Sequence, residues 1–287
     1  MIARLAFASK GASSRVVYSR RFRAYIIVAS RMKVVILAGG MGTRLAELTE
    51  IMPKPMVEIG PRPILWHIMK QYAHFGHTEF YVALGYKGDV IKRYFLDYCR
   101  LTGNLTVDLR SGTIRSDGAS AENWTLNFVD TGLITLTGGR VKRLQQSLEG
   151  ATFMVTYGDG VANVDLNKLI DFHRASGRVG TVTAVRPPAR FGGLVFEKDR
   201  VVRFTEKPQI GEGWINGGFL VFEPQIFKYL DGDQSSLEAH ALERLAAEGR
   251  LAGYRHEGFW QCMDTMRDKN LLESLWQAGR APWKVWE

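Results

Sequence analysis

The sequence predicts an α/β fold: a doubly wound mixed sheet in a single domain, with a β-rich elaboration in its second half. Three observations predict it. Short runs rich in Val, Ile, Phe and Tyr alternate with stretches of helical period, the pattern of a mainly parallel sheet with crossover helices. The first apolar run ends in glycines, as a chain leaving the carboxyl edge of such a sheet commonly does. After Pro187-Pro188 strand-like runs follow one another closely, with little helix between them.

The elements follow in order. "KVVILAG" (33–39) is apolar throughout after Lys33 and reads as a buried first strand. From Pro63 onward Ile64, Leu65, Ile68, Met69, Tyr72 and Phe75 mark one face of a helix. "EFYVALG" (79–85) is the next strand and "DVIKRYFLDYC" (89–99) the next helix. "RSGTIRSDGASAENW" (110–124) is polar and glycine-bearing, which predicts an exposed loop. "ATFMVTYGDG" (151–160) is a strand running into a tight turn, and a helix over 166–175 precedes the strand "GTVTAV" (180–185). "GGLVFEKDRVVRFTEKP" (192–208) predicts two strands about a Lys-Asp turn, and "INGGFLVFEP" (215–224) one more. Helices near 237–248 and 267–278 close the chain.

Composition narrows the function classes. The 287 residues are 46% hydrophobic and 23% charged, ordinary for a soluble globular protein. The net charge of +9 invites a nucleic-acid reading, but residues 1–31 hold seven Lys or Arg and no acid, leaving +2 for 32–287. That Arg- and Ser-rich leader shares the composition of transit peptides and precedes Met32, so residues 1–31 are expected to be a dispensable basic extension. A nucleic-acid role would rest on the leader alone. No run approaches membrane-spanning length, so no membrane partner is expected. Two cysteines, Cys99 and Cys262, are too few for a disulfide scaffold and suit a reducing, cytoplasmic setting. The six histidines do not cluster, and the seven tryptophans read as core or subunit contacts rather than a base-stacking platform.

Chemistry concentrates in "VVILAGGMGTRLAELTEIMPKPM" (34–56). Neither the dinucleotide fingerprint nor the P-loop is satisfied, because position 45 is leucine and no Gly-Lys-Ser/Thr follows. Glycines alone make a plain turn. At a strand's carboxyl end they also let backbone N–H groups approach a base and phosphates. Arg44 and Lys54 are two cations nearby, and Pro53 and Pro55 restrict the backbone of Lys54. Together they fit a triphosphate better than a solvated loop. Asp159, in a Tyr-Gly-Asp-Gly turn, and Asp264, in "FWQCMDT", are each unremarkable alone. As a pair they match the one or two carboxylates that hold Mg²⁺ beside phosphates. Glu206-Lys207-Pro208 and Asn216-Gly217-Gly218 are hairpin punctuation or, alternatively, groups for the hydroxyls and phosphate of a second substrate.

"AGGMGTRL", "PKPMVEIG", "YGDG", "EKP", "NGG" and "MDT", in that order, resemble the sugar-1-phosphate nucleotidyltransferases. "GYKGDVIKRYF", "DTGLITLTGGRVKR", "GDGVANVD" and "GFWQCMDTMRDK" are similar to its cytidylyl branch, and the likeness runs from Met32 to the end. The resemblance implies a Rossmann-like sheet of the nucleotidyltransferase type. It implies that Leu37, Ala38, Gly39, Gly40, Met41, Gly42, Thr43, Arg44, Lys54, Thr135 and Arg140 bind nucleotide, with Arg44 and Lys54 catalytic. Asp159 and Asp264 would hold Mg²⁺, and Glu206, Lys207, Asn216 and Gly217 would meet the sugar phosphate. Cys262 departs from the pattern, where proline is usual, and a thiol there would be an oxidation liability if it were reactive.

The implied reaction is cytidylyl transfer from CTP to α-D-glucose 1-phosphate, forming CDP-glucose and pyrophosphate for CDP-deoxyhexose and surface polysaccharide (O-antigen) synthesis. The resemblance also implies a homo-oligomer, hexamers among the options. Arg140 carries only donors, so the side chain or the backbone it positions would favour cytosine, with acceptors at O2 and N3, over uracil. Two alternatives remain: a uridylyl- or thymidylyltransferase, and a non-catalytic regulatory module that binds nucleotide sugars.

Overall fold

The computed structural model describes residues 31–42, 45, 49–101, 103–116, 122–187, 193–197, 200–205 and 213–287. β1 (Lys33–Ala38) precedes a small hairpin of β2 (Glu58–Ile59) and β3 (Arg62–Pro63), then α1 (Ile64–His74), β4 (Glu79–Leu84) and α2 (Gly88–Leu101). A second hairpin, β5 (Leu105–Asp108) and β6 (Thr113–Ser116), leads to β7 (Thr125–Asp130). α3 (Thr137–Arg143) and α4 (Gln145–Leu148) precede β8 (Phe153–Tyr157), β9 (Gly160–Ala162), α5 (Leu166–Ser176) and β10 (Gly180–Val185). β11 (Gly193–Glu197) pairs with β12 (Arg200–Thr205), followed by β13 (Ile215–Asn216) and β14 (Leu220–Phe222). A π-helical turn over Leu237–Leu242 continues into α6 (Glu243–Ala247), and β15 (Leu251–His256), β16 (Trp260–Cys262) and α7 (Met266–Gln277) follow.

Among the described residues eight strands form one mixed sheet in the order β13-β10-β14-β8-β1-β4-β7, with β15 beside β10. β1 lies between β4 and β8 and is parallel to both, pairing Val35 with Tyr81 on one side and Val155 on the other. The chain therefore passes from β1 to one flank, through β4 and β7, and returns to the other flank at β8. That reversal is a topological switch, and open α/β sheets place their ligands outside the carboxyl ends of the strands at such a point.

Strand periodicity sorts the core into two layers. Val34, Ile36 and Ala38 face the α1 side, where Ile64, Leu65, Ile68 and Tyr72 are buried. Val35 and Leu37 face the opposite side, against Val141, Leu144 and Leu237. Both faces being covered explains the uninterrupted apolar run in β1. Trp283 is fully buried and Trp286 nearly so, packed around Trp66 and His67 on α1, so these tryptophans are core. Helix ends follow local chemistry: Asp165 accepts from the Lys168 N–H to cap α5, and Gly177, at φ 60°, ends it.

Two expectations need revision, and one helix forms against local propensity. Part of the predicted loop at 110–124 is the β5–β6 hairpin, its turn made by Gly112 at φ 68°, while 117–121 lie outside the described residues. The single strand expected over 215–224 is two, because Gly218 and Phe219 adopt φ of 77° and 45° and bend the chain between them. "TGGRVKR", whose glycines disfavour helix, is nevertheless α3. A Cβ on Gly138 would come within 2.7 Å of the Ser235 carbonyl oxygen, and one on Gly139 within 2.6 Å of that of Asp233. The glycines let residues 232–237 lie directly on the helix, and tertiary packing outweighs propensity. Among the described residues no helix is long and apolar enough to cross a membrane.

Candidate active site

A cleft of about 340 Å³ opens at the carboxyl end of β1. Leu37, Ala38, Gly39, Gly40 and Gly42 form its floor, Lys54 and Asp159 one wall, and Thr135 and Arg140 the other. Nine of the predicted residues thus meet in one place. Met41 is described but does not line the cleft; its side chain is half exposed. Thr43, Arg44, Glu206 and Lys207 lie outside the described residues. Thr137 and Tyr157 also line the cleft, and sequence reasoning missed both. Each adjoins a predicted motif, which was the only available signal.

Lys54 opens a short 3₁₀ turn, Lys54–Met56, behind Pro53 at φ −69° and ψ 148°. The turn buries its side chain and delivers the ammonium to two carboxylates. Nζ donates to Asp159 Oδ2 at 2.7 Å and to Asp264 Oδ1. Burial works against its charge, but the two carboxylates outweigh burial and hold the lysine pKa above its ordinary value. The carboxylates lie 105 residues apart in sequence and are joined by a ladder: β16 pairs with β9, matching Cys262 to Gly160, and the Met263 N–H donates to the Asp159 carbonyl at 2.8 Å. Asp268 then accepts from the Asp264 and Thr265 N–H groups in the capping box of α7, fixing the backbone of Asp264.

This donor set fits a hard divalent cation. Among the described residues no group of three His, Cys, Asp or Glu could hold a metal unaided. Mg²⁺ does not require one, since it takes one or two carboxylates and completes its shell with phosphate oxygens and water. Asp159 and Asp264 already share one positive group, the Lys54 ammonium, which stands where such a cation would neutralise both. Cys262 Sγ lies 3.7 Å from Asp264 Oδ2, and burial together with the neighbouring carboxylates pushes its thiol up to about 12.

The Arg140 donors meet acceptors of the protein itself. It is buried, and Nη1 donates to the carbonyls of Leu84 (2.9 Å) and Gly132 (2.8 Å) and to Thr131 Oγ1 (2.7 Å). Nη2 donates to the carbonyls of Gly39 (3.1 Å) and Leu133 (3.4 Å). The guanidinium is a strut tying the glycine turn to the end of β4 and to residues 131–133. A Cβ on Gly39 would lie 2.2 Å from Nη1, so glycine is required there to admit the arginine. These bonds hold the backbone around the cleft in place, and Arg140 itself lines the cleft.

Asn216 ends β13, and Gly217 opens the bend that leads to β14. The Gly217 N–H donates to the Thr183 carbonyl at 2.9 Å, and its own carbonyl accepts from Trp260 Nε1 at 2.8 Å. Gly217 anchors the bend, and its neighbour carries the exposed polar group. Asn216 Nδ2 donates to the Tyr157 hydroxyl at 3.0 Å, and Oδ1 accepts from the Gly218 N–H at 2.9 Å.

A glycine turn at a sheet switch point, a lysine between two carboxylates and an arginine-braced wall define a site for phosphate-bearing ligands. Residues 33–268 match the nucleotidyl transferase family, and the chain belongs to that family. Among its relatives, the glucose-1-phosphate cytidylyltransferase of Salmonella typhi is 48% identical over 257 residues, covering 89% of this chain and 100% of that protein. The probable glucose-1-phosphate cytidylyltransferase of Bacillus subtilis (strain 168) is 46% identical over 258 residues, again covering 89% of this chain and 100% of the relative. The crystal structure of HddC from Yersinia pseudotuberculosis matches with a TM-score of 0.61 at 23% identity, over 85% of this chain and 99% of that one. At that identity the last likeness speaks to fold alone: a mixed α/β nucleotidyltransferase sheet in a single domain.

Proposed function

We propose that the chain transfers a cytidylyl group from CTP to α-D-glucose 1-phosphate, releasing pyrophosphate and forming CDP-glucose. The observation that carries the reading is the meeting of Lys54, Asp159 and Asp264 beside the glycine turn, in a chain whose relatives at 46–48% identity are named for this reaction. A phosphate oxygen of the sugar phosphate attacks the α-phosphorus of CTP. The new P–O bond forms as the bond to the β-phosphate oxygen breaks, and the electron pair leaves with pyrophosphate. The attacking oxygen is already ionised, so no general base is needed. The difficulty is bringing one anion against another, and catalysis rests on charge and position.

Asp159 and Asp264 would hold Mg²⁺, which supplies positive charge to the phosphates when bound. Lys54 supplies a compact ammonium at the same point, kept protonated by those carboxylates. Arg44 is proposed as the cation on the departing pyrophosphate. Leu37 to Gly40 and Gly42 offer backbone to the base and phosphates. Glu206, Lys207 and Asn216 are proposed for the sugar phosphate. The enzyme would act in the cytoplasm as a homo-oligomer, and CDP-glucose would enter synthesis of CDP-deoxyhexoses for surface polysaccharide.

The test is incubation with glucose 1-phosphate and each of the four nucleoside triphosphates, with pyrophosphate release as the readout. CTP is expected to be preferred strongly, by up to about 10⁴ where a site is built on specific hydrogen bonds. Comparable efficiency with UTP would defeat the cytidylyl reading. Asp159→Asn and Asp264→Asn should each lower turnover at least about a hundredfold, since each removes a charged ligand of the Mg²⁺ that would neutralise the phosphates. Near-normal turnover of both at saturating Mg²⁺ would remove the metal-holding role.

A further inference from the structure

Glu238 carries none of the proposed chemistry, yet two walls of the site converge on it. It lies in the π-helical turn, where the Ala241 N–H reaches back five residues to the Ser236 carbonyl at 3.4 Å. Such turns disturb the regular ladder and often mark functional positions. Oε2 accepts from the hydroxyls of Thr137 (2.6 Å) and Ser236 (2.9 Å), and Oε1 from the Tyr157 hydroxyl (2.7 Å). Thr137 and Tyr157 both line the cleft. The close approach that brings Thr137 to Glu238 depends on Gly138 and Gly139, as their short distances to residues 233 and 235 require.

The direction of every bond in this chain follows from the carboxylate. An ionised carboxylate only accepts, so Tyr157 must give Glu238 its single proton. Toward Asn216 the Tyr157 oxygen is then an acceptor, and it faces Nδ2 at 3.0 Å. The Gly218 N–H takes Oδ1 on the other side. The amide of Asn216 is thereby oriented from both ends, with a second Nδ2 hydrogen on an exposed side chain. Burial alone would raise the Glu238 pKa, but the donated hydrogen bonds from Thr137, Tyr157 and Ser236 bring it below its ordinary value, so the polarity holds at neutral pH.

We propose that Glu238 is a positioning residue: its carboxylate fixes Thr137 in the nucleotide cleft and, through Tyr157, presents the Asn216 amide as a hydrogen-bond donor to the sugar phosphate. This rests on the reading above that Asn216 meets that substrate. Replacing the carboxylate by an amide inverts the relay. In Glu238→Gln the amide oxygen keeps Thr137 and Ser236, while the amide nitrogen donates to Tyr157. The Tyr157 proton then faces the Nδ2 donor of Asn216, and turning Asn216 over would set Nδ2 against the Gly218 N–H. The sugar-phosphate side is disturbed while the nucleotide side keeps its bond.

Steady-state kinetics on the full chain test this, with each substrate varied at saturation of the other. Glu238→Gln is expected to raise KM for glucose 1-phosphate about tenfold, the worth of one well-placed hydrogen bond, and to leave KM for CTP and kcat within about threefold. Tyr157→Phe, which keeps the ring and removes only the hydroxyl, should give the same split, and it serves as the test if Glu238→Gln does not fold. The double variant should be no worse than either single one, since both act through one path. Equal changes in both KM values, or a double variant whose loss is the product of the two, would overturn the relay. Wild-type turnover with an unmoved KM in both single variants would overturn it alone. A wild-type chain that transfers nothing to glucose 1-phosphate would overturn the function and the relay's role with it.

Discussion

Lys54→Met should convert a site closed by an internal ammonium into one that needs a divalent cation for stability. In the wild type a single nitrogen touches both Asp159 and Asp264, so their nearest oxygens lie within about 5 Å of each other. Removing the ammonium leaves two like charges at that distance, worth about 3 kcal/mol at an effective dielectric of 20. The aspartate side chains are 28% and 21% exposed, so solvent screens part of this and about 2 kcal/mol is expected. Methionine fills most of the lysine volume, which keeps packing loss small. For a chain of this size such a loss lowers Tm by roughly 4–8 °C. Added Mg²⁺ should reverse it: a site of about 1 mM affinity in about 10 mM Mg²⁺ returns about 1.4 kcal/mol. The assay is thermal unfolding of both chains in chelator and in Mg²⁺, without nucleotide. The variant should respond to Mg²⁺ more strongly than the wild type, and adding Asp159→Asn should abolish the excess. A variant that melts like the wild type in chelator, or gains no more from Mg²⁺, would refute the shared-cation reasoning.

Arg140→Lys should lower Tm and reduce efficiency with CTP and UTP alike, because an ammonium has three donors where the guanidinium meets five acceptors; selective loss with CTP alone would restore a direct base contact. A chain beginning at Met32 should keep full turnover and a Tm within about 2 °C, which pyrophosphate release and calorimetry can check. The Met32 backbone N–H donates to His77 Nδ1 at 3.1 Å, and a terminal amino group can make the same bond. Stability should decline as pH falls from 6.5 toward 4, because burial lowers His67 and His77 from 6.5 to about 4 in the fold. Between those values the unfolded chain binds more protons, so acid favours unfolding by up to about 1.4 kcal/mol per pH unit for each histidine, and above pH 7 the term is flat. Denaturant titrations at several pH values, with His77→Gln reducing the slope, measure it.

Much of this protein is legible in its residues taken in order. The apolar run over 34–38 reads as a buried strand, and the helix Ile64–His74 shows its buried stripe directly. Glycines 39, 40 and 42, Lys54 between prolines, and Asp159 in its turn are local signals that need no neighbour to be noticed. What local pattern could not supply was distance. Asp159 and Asp264 become one site only because β9 pairs with β16, a contact across about a hundred residues with no signature in either segment. Arg140 looked like a donor for a base because its side-chain chemistry is all that sequence displays. Packing instead surrounds it with the carbonyls of Gly39, Leu84, Gly132 and Leu133, and a buried guanidinium must satisfy those first. α3 ran against its own propensity for the same reason: Gly138 and Gly139 are poor helix formers, and a second segment lying on them makes the helix. The sequence by itself determined the periodic elements and the kinds of charge available, since both are properties of neighbours along the chain. Only the tertiary structure decided which charges meet and which are already engaged, because hydrogen-bond partners are set by approach in space.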